Sequence, residues 1–379
     1  MKALSLLLVL LSISGCSTIK GWMGKDATGP QPAKLVAFNA TEKFTERWHA
    51  NVGDTGANPL QPALTDDAVY GVSGKGEITR LDRKTGKQIW RVNSKMKVSA
   101  GVGSGEGLVL IGSEKGEVQA FGEDGKLRWK QIVTSEVLGV PQVAEGRVLV
   151  RSGDGHITAL SAADGKQQWS YDHTLPALVV RSHASVTVRR GVVYAGYAGG
   201  KLIAVKLSDG SSLWENTVSQ PRGNTELERI SDITSNPVIS DNELCAIAFQ
   251  GRLACYDAIQ GSPLWSREIA SDKGLFVLQK NIYLSDANGI VMALDKDTGS
   301  TIWKNEELSL RDTSAPFAQD DVVVVGDFEG YLHALSRSDG HIVARIKLDG
   351  GAVDTRPVAM DDGLLVQTRG GIVYSLSIK

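Results

Sequence analysis

An all-β, eight-bladed β-propeller is the fold class that the sequence predicts, and three observations predict it. A phrase of glycine, any residue, an aliphatic, any residue, a small residue and often Leu starts at Gly76, Gly116, Gly155, Gly200, Gly251, Gly289, Gly330 and Gly371. In six copies a Trp stands about fourteen residues on, four positions after another Gly: Trp90, Trp129, Trp169, Trp214, Trp265 and Trp303. The chain ends at Lys379 before the last copy can form a Trp-bearing strand, while an isolated strand of that kind, Phe44-Thr45-Glu46-Arg47-Trp48-His49, precedes the first repeat. Self-similarity at about forty residues marks a propeller, a solenoid or an array.

The third copy shows how each repeat is built. Val148 and Val150, then Ile157 and Ala159, recur with the two-residue period of half-buried strands. Between them lie Glu145-Gly146, Gly153-Asp154-Gly155 and Ala163-Asp164-Gly165, where Gly takes positive φ and Asp bonds its own backbone in a tight turn. Each repeat thus holds four short antiparallel strands. Such a sheet cannot bury both faces alone, so the copies stack radially. The small residue on the third strand (Ala120, Ala159, Ala204, Ala293, Ala334) suits close approach of sheets, and the Trp supplies an apolar plate with one N–H to satisfy. Both read as packing. The strand around Trp48 is expected to complete the last blade and close the ring, which removes open sheet edges. The count is eight blades, or seven if the weak copy in which Ala344 replaces Trp is not a full blade.

The propeller is expected to occupy 44–379. Residues 1–15 carry Lys2 and the apolar run Leu6 to Leu11, too short to cross a membrane as a helix, and read as a signal peptide. They end in Ile13-Ser14-Gly15-Cys16, which matches the lipobox of bacterial lipoproteins, so Cys16 is expected to become the lipidated N-terminus. Stable anchoring requires more than one acyl chain. Ser17, where Asp would favour retention at the inner membrane, points to the outer membrane, with the ring in the periplasm. Residues 16–43 are rich in Gly, Pro, Thr and Lys and read as a flexible tether with a reach of about 30 Å. A net charge of −2 without a Lys/Arg cluster speaks against a nucleic-acid partner. Cys245 and Cys255 flank Gln250 at equal spacing and face each other if the chain turns there. The periplasm permits a disulfide, direct cross-strand bridges are often strained, and a bridge and two buried thiols both fit.

The phrase Asp82-Arg83-Lys84-Thr85-Gly86 to Trp90, repeated from Asp295 to Trp303, resembles the repeat of pyrroloquinoline-quinone dehydrogenases. Those enzymes hold quinone and calcium on the ring axis, with an Asp base and commonly two adjacent cysteines. This chain has neither adjacent cysteines nor a haem-attachment C-x-x-C-H motif, and fold alone does not carry function. A non-enzyme without cofactor is the leading reading; a quinone-dependent dehydrogenase or cofactor-binding propeller is the alternative. His49, His156, His173, His183, His333 and His341 show no metal-ligand spacing. The string Gly101 to Gly107 reads as a strand-connecting turn, because no helix follows to make it a phosphate loop. The acid pairs Asp66-Asp67, Asp320-Asp321 and Asp361-Asp362 fall at one repeat position and read as hairpin turns.

Function is expected where the repeat is stretched, since loops on rigid blades carry binding residues. Trp-to-Trp spacing is 38 to 42 in most of the chain but 45 after Trp169 and 51 after Trp214. The inserts contain Leu175 to Arg181 and Asn224 to Asp232, aliphatic residues beside charges, and should project from one face as a protein–protein site. The lipobox, the repeats and these inserts resemble the BamB family, lipoprotein propellers of the β-barrel assembly machinery. The resemblance is most specific in Glu226-Leu227-Glu228-Arg229-Ile230-Ser231-Asp232, Gly112-Ser113-Glu114-Lys115 and Gly326 to His333. It implies that the two loops bind the periplasmic POTRA domains of BamA, with Leu178, Val180, Arg181, Glu226, Arg229 and Asp232 as contact residues, and that the protein helps outer-membrane β-barrels fold and insert. Unfolded strands of those substrates could also add to blade edges. A second acid implied two positions after Asp232 is Thr234 here. Arg181 and Asp232 are expected to be able to pair across the two loops.

Overall fold

The computed structural model describes residues 30–361 and 363–379; the expected signal peptide, Cys16 and Asp362 lie outside them. The described chain from Pro32 forms one unit, and its strands make eight four-stranded antiparallel sheets. Blades 1 to 7 span 63–93, 100–132, 142–172, 187–217, 238–268, 275–305 and 317–347. Blade 8 combines Val358–Met360, Gly363–Gln367 and Ile372–Ile378 with the N-terminal strand Phe44–Asn51, whose Phe44 pairs with Ile378 and whose Asn51 pairs with Ile372. The ring therefore closes as expected, and the seventh copy is a full blade.

The core is divided among the blade junctions. Eight apolar clusters fill the eight gaps, from the one between blades 1 and 2 around Tyr70 and Ile111 to the one between blades 8 and 1 around Trp48 and Val69. In blade 3, Val148 and Val150 face blade 2 while Leu149 between them faces blade 4. The middle strands are thus buried on both faces, not half-buried. Only the fourth strand keeps one face in water, as in Gln167–Asp172.

The Trp and Gly of the repeat meet between neighbouring blades. Each of the seven tryptophans among the described residues donates Nε1–H to a backbone carbonyl of the following blade, at 2.7–3.2 Å, from Trp48 on Arg83 to Trp303 on Arg337. Beneath each ring sits the turn glycine of that next blade. At Gly210, φ is +73° and a Cβ would lie 2.6 Å from Trp169 Cε3, so only glycine leaves room for the indole. The turn is built by its Asp: Asp82 Oδ1 accepts from the N–H and hydroxyl of Thr85, at 2.8 and 2.6 Å, and these bonds lower the Asp82 pKa. Ala344 is now explained. Blade 7 faces the one sheet whose third and fourth strands are not joined by a turn, because the third is Ile372–Ile378 and the fourth is Phe44–Asn51. No glycine seat exists for a Trp, and Phe44 joins the buried cluster beside Ala344 instead.

Two further expectations change, for the glycine string and the tether, and one open alternative, at the cysteines, is settled. Gly101 to Gly105 lie in the first strand of blade 2, Ala100–Gly105, with only Glu106 and Gly107 in the turn. A Cβ on Gly103 would meet Pro141 O, just ahead of the next first strand, at 2.2 Å, so glycine serves close approach near the axis. Cys245 and Cys255 lie opposite each other in blade 5, joined by a disulfide and buried against blade 6. The described end of the expected tether is not free chain. Ala33 N donates to Ser309 O, Arg311 Nη1 to Ala33 O and Arg345 Nη1 to Val36 O, Phe38 lies 4.9 Å from the Arg345 guanidinium, and Thr41 N donates to Val343 O. Arg311, in the loop between blades 6 and 7, and Arg345 of blade 7 thus pin residues 33–41 as a strap.

Under the strap lies a buried network. Arg311 bonds Asp327 Oδ2 (2.8 Å from Nε) and also pairs with Glu329, His333 Nε2 lies 3.0 Å from Asp327 Oδ2, and Arg345 Nε donates to His333 Nδ1 at 3.1 Å. Because Nδ1 accepts from an arginine, the imidazole is neutral with its proton on Nε2. Burial lowers the His333 pKa, while bonds from His333, Tyr331 N–H and Arg311 hold Asp327 below the usual carboxylate range against its own desolvation. An unfolded chain binds a proton at this His below about pH 6.5 that the folded one refuses, so stability falls as pH drops through that value. Depressed Asp327 adds a second loss below about pH 4. The melting temperature is expected to fall between pH 7.5 and 5.0, and His333→Gln, which keeps a donor and an acceptor but cannot titrate, should reduce that fall; an unchanged slope would refute the assignment. His183, whose pKa burial also lowers, leaves a residual slope.

Candidate functional site

In an antiparallel meander, the loops from a fourth strand to the next first strand share a face with the turns between second and third strands. The two long inserts, 173–186 and 218–237, both belong to that face. Their return limbs are stitched together. Val180 N donates to Asp232 Oδ2 at 2.7 Å, Ser182 Oγ to Thr234 O at 3.1 Å, Ser185 N to Asn236 Oδ1 at 2.6 Å and Thr187 Oγ1 to Pro237 O at 2.6 Å.

Asp232 is the centre of this junction. It is 4% exposed, and its other oxygen accepts from Gly199 N at 3.0 Å, so both oxygens are held by backbone N–H groups. The expected pairing of Arg181 with Asp232 does not form, because the carboxylate points inward while Arg181 points out, its Nη2 2.5 Å from Glu114 Oε1. That ion pair is exposed on both sides, and such pairs contribute about 0–1 kcal/mol. Glu114, in the second-to-third-strand turn of blade 2, was not among the expected site residues; its position on the same face is the signal that could have found it.

The tips carry the exposed aliphatics. Leu178 is 42% exposed and Val179 lies beside it, whereas Val180 is half-buried by its bond to Asp232. The second loop forms one helical turn with reciprocal capping: Glu228 Oε2 accepts from Asn224 N and Thr225 N, which lowers its pKa, and Glu228 N donates to Thr225 Oγ1. Glu226 and Arg229 bond each other at 3.1 Å on its outer side. Leu227, at 68% exposed, stands between them and is the residue that charge-centred reading of the motif missed. The structure therefore joins Val180 and Asp232, sets Leu178 and Arg181 outward on the first loop, and sets Glu226 and Arg229 outward on the second. The first loop also walls a funnel of about 410 Å³ at the mouth of the ring axis, through 180–185.

Such a face suits contact with another protein: apolar tips on a rigid frame, with charges at their flanks. A family model described as outer membrane protein assembly factor BamB matches residues 27–90 and 74–305. A relative of that description from Bordetella pertussis is 37% identical over 363 residues, which is 96% of this chain and 93% of the relative. The chain belongs to the BamB family. The solved BamB structure from Moraxella catarrhalis, 25% identical, superposes with a TM-score of 0.82 over 88% of this chain and 99% of its own. The quinohemoprotein alcohol dehydrogenase of Comamonas testosteroni reaches a TM-score of 0.73 at 14% identity, a likeness of fold alone. The BamB relatives are named as assembly factors, and among the described residues no helix is long and apolar enough to cross a membrane.

Proposed function

We propose that this protein is a non-enzymatic scaffold of the β-barrel assembly machinery, anchored in the outer membrane through lipid on Cys16 and facing the periplasm. It docks on the POTRA domains of BamA through the paired loops and so assists folding and insertion of outer-membrane proteins. The observation that carries the reading is the junction at Asp232: a buried carboxylate spent on fixing one loop against the other leaves Leu178, Arg181 and Leu227 presented on a preorganised surface. Preorganisation lowers the ordering cost of association. Glu226 and Arg229, already paired, act at the rim and contribute mainly to orientation.

The test is co-purification with BamA. Arg181→Glu places a carboxylate beside Glu114 and reverses the charge next to Leu178, and is expected to reduce recovery of BamA at least tenfold, or about 1.4 kcal/mol. Arg181→Gln should have a smaller effect. Undiminished recovery with folded Arg181→Glu protein would refute docking through this loop.

A further inference from the structure

At the mouth of the ring axis, below the insert loops, each cation of the funnel but one has an acidic partner, and Lys273 has two. Lys273 Nζ lies 2.8 Å from Asp312 and 3.1 Å from Asp272, Arg369 Nη2 lies 2.6 Å from Asp354, and Arg181 is held by Glu114. Arg356 is left over. It lines both the funnel and a second cavity of about 380 Å³ near the axis, in whose lining it is the one charged side chain. Nη1 makes a long bond of 3.4 Å to Leu275 O, and the guanidinium lies 5.8 Å from the Phe276 ring; among the described residues no carboxylate pairs with it. Desolvation lowers its pKa with no neighbouring acid to oppose it, yet an arginine stays charged. Thr234 adds a second unmet group on the funnel wall: its Oγ1 is buried with no hydrogen-bond partner.

Arg356 is half-buried and lacks a counter-charge, and a Met or Leu would fill the same space without the cost of partly desolvating a cation. We infer that Arg356 is the floor of an axial anion site whose ligand is a carboxylate. The planar guanidinium fork matches a carboxylate bidentately, and the funnel opens on the loop face, so the ligand is either a free polycarboxylate or an acidic side chain delivered by a protein docked there. The second source rests on the docking reading; the first does not.

Full-length protein in detergent is titrated with citrate by calorimetry and thermal shift, and in parallel tested for BamA recovery, for wild type, Arg356→Met, Arg356→Lys and Thr234→Val. A free carboxylate predicts saturable citrate binding that weakens at least tenfold in Arg356→Met, partly in Arg356→Lys and severalfold in Thr234→Val. An acidic side chain predicts no citrate binding but at least tenfold lower BamA recovery for Arg356→Met, with the loops intact by proteolysis. In either case Arg356→Met without ligand should melt no lower than wild type, because an uncompensated charge has been removed. Neither citrate binding nor a change in recovery, whatever the melting temperature, would overturn the site, and a lower melting temperature in that case would mean that Arg356 serves packing alone. Should Arg356→Met fail to fold, citrate binding by wild type and its loss in Arg356→Lys and Thr234→Val decide the first source, and BamA recovery by Arg356→Lys decides the second.

Discussion

Trp169→Ala should lower the free energy of unfolding by about 3–5 kcal/mol, the range for truncating a large aromatic in a packed core. The indole is 8% exposed, donates to Leu207 O at 2.9 Å and lies on Gly210 of the next blade, so the substitution opens a cavity and leaves a carbonyl short of a partner. Trp90→Ala, at a half-buried ring in the same structural position, should cost less. Denaturant midpoints for the two variants check this, and a loss under about 1 kcal/mol at Trp169 would show that the ring is held mainly by its strands.

Removing the Asp232 carboxylate should have the second largest effect. In Asp232→Ala two half-buried backbone donors, Val180 N–H and Gly199 N–H, lose their acceptor, and an unmet donor costs up to about 1–3 kcal/mol when fully buried, so a loss toward the lower end of that range is expected for each. Asp232→Asn is no safe replacement, because its amide NH₂ must face one of the two N–H groups. Both variants are expected to destabilise the protein and to make 173–186 the first site of proteolytic cleavage, with loss of BamA recovery as a consequence. Cleavage no faster than in wild type, with BamA recovery still lost, would mean that Asp232 acts by touching the partner.

The ring was legible because its signal is repeated: eight Gly-led phrases, a Trp at constant offset and a missing last strand leave little choice of architecture. What each residue does in the repeat was less legible. The Gly before each Trp looked like a turn residue of its own blade, yet it is also the floor for the preceding blade's Trp, a relation forty residues away that appears only once blades are side by side. The same holds for the loops. Their lengths located the site, but the residues that hold it together, Asp232 with Val180 and Gly199 and Ser182 with Thr234, meet through backbone groups, which carry no sequence signature. Arg181 and Asp232 have opposite charges and adjacent loops, yet burial decided their partners: the carboxylate went to N–H groups inside and the guanidinium to Glu114 outside.

The strap alters the mechanics of anchoring. With residues 33–41 bound, the chain between Cys16 and the ring is the sixteen residues of 17–32, which can extend no farther than about 55 Å. The strap meets the ring at Ala33 beside Ser309, in a loop on the same face as the two long inserts. Any pull passed along the chain ahead of Ala33 would therefore reach the ring at one point of its rim, on the face that carries the two long inserts.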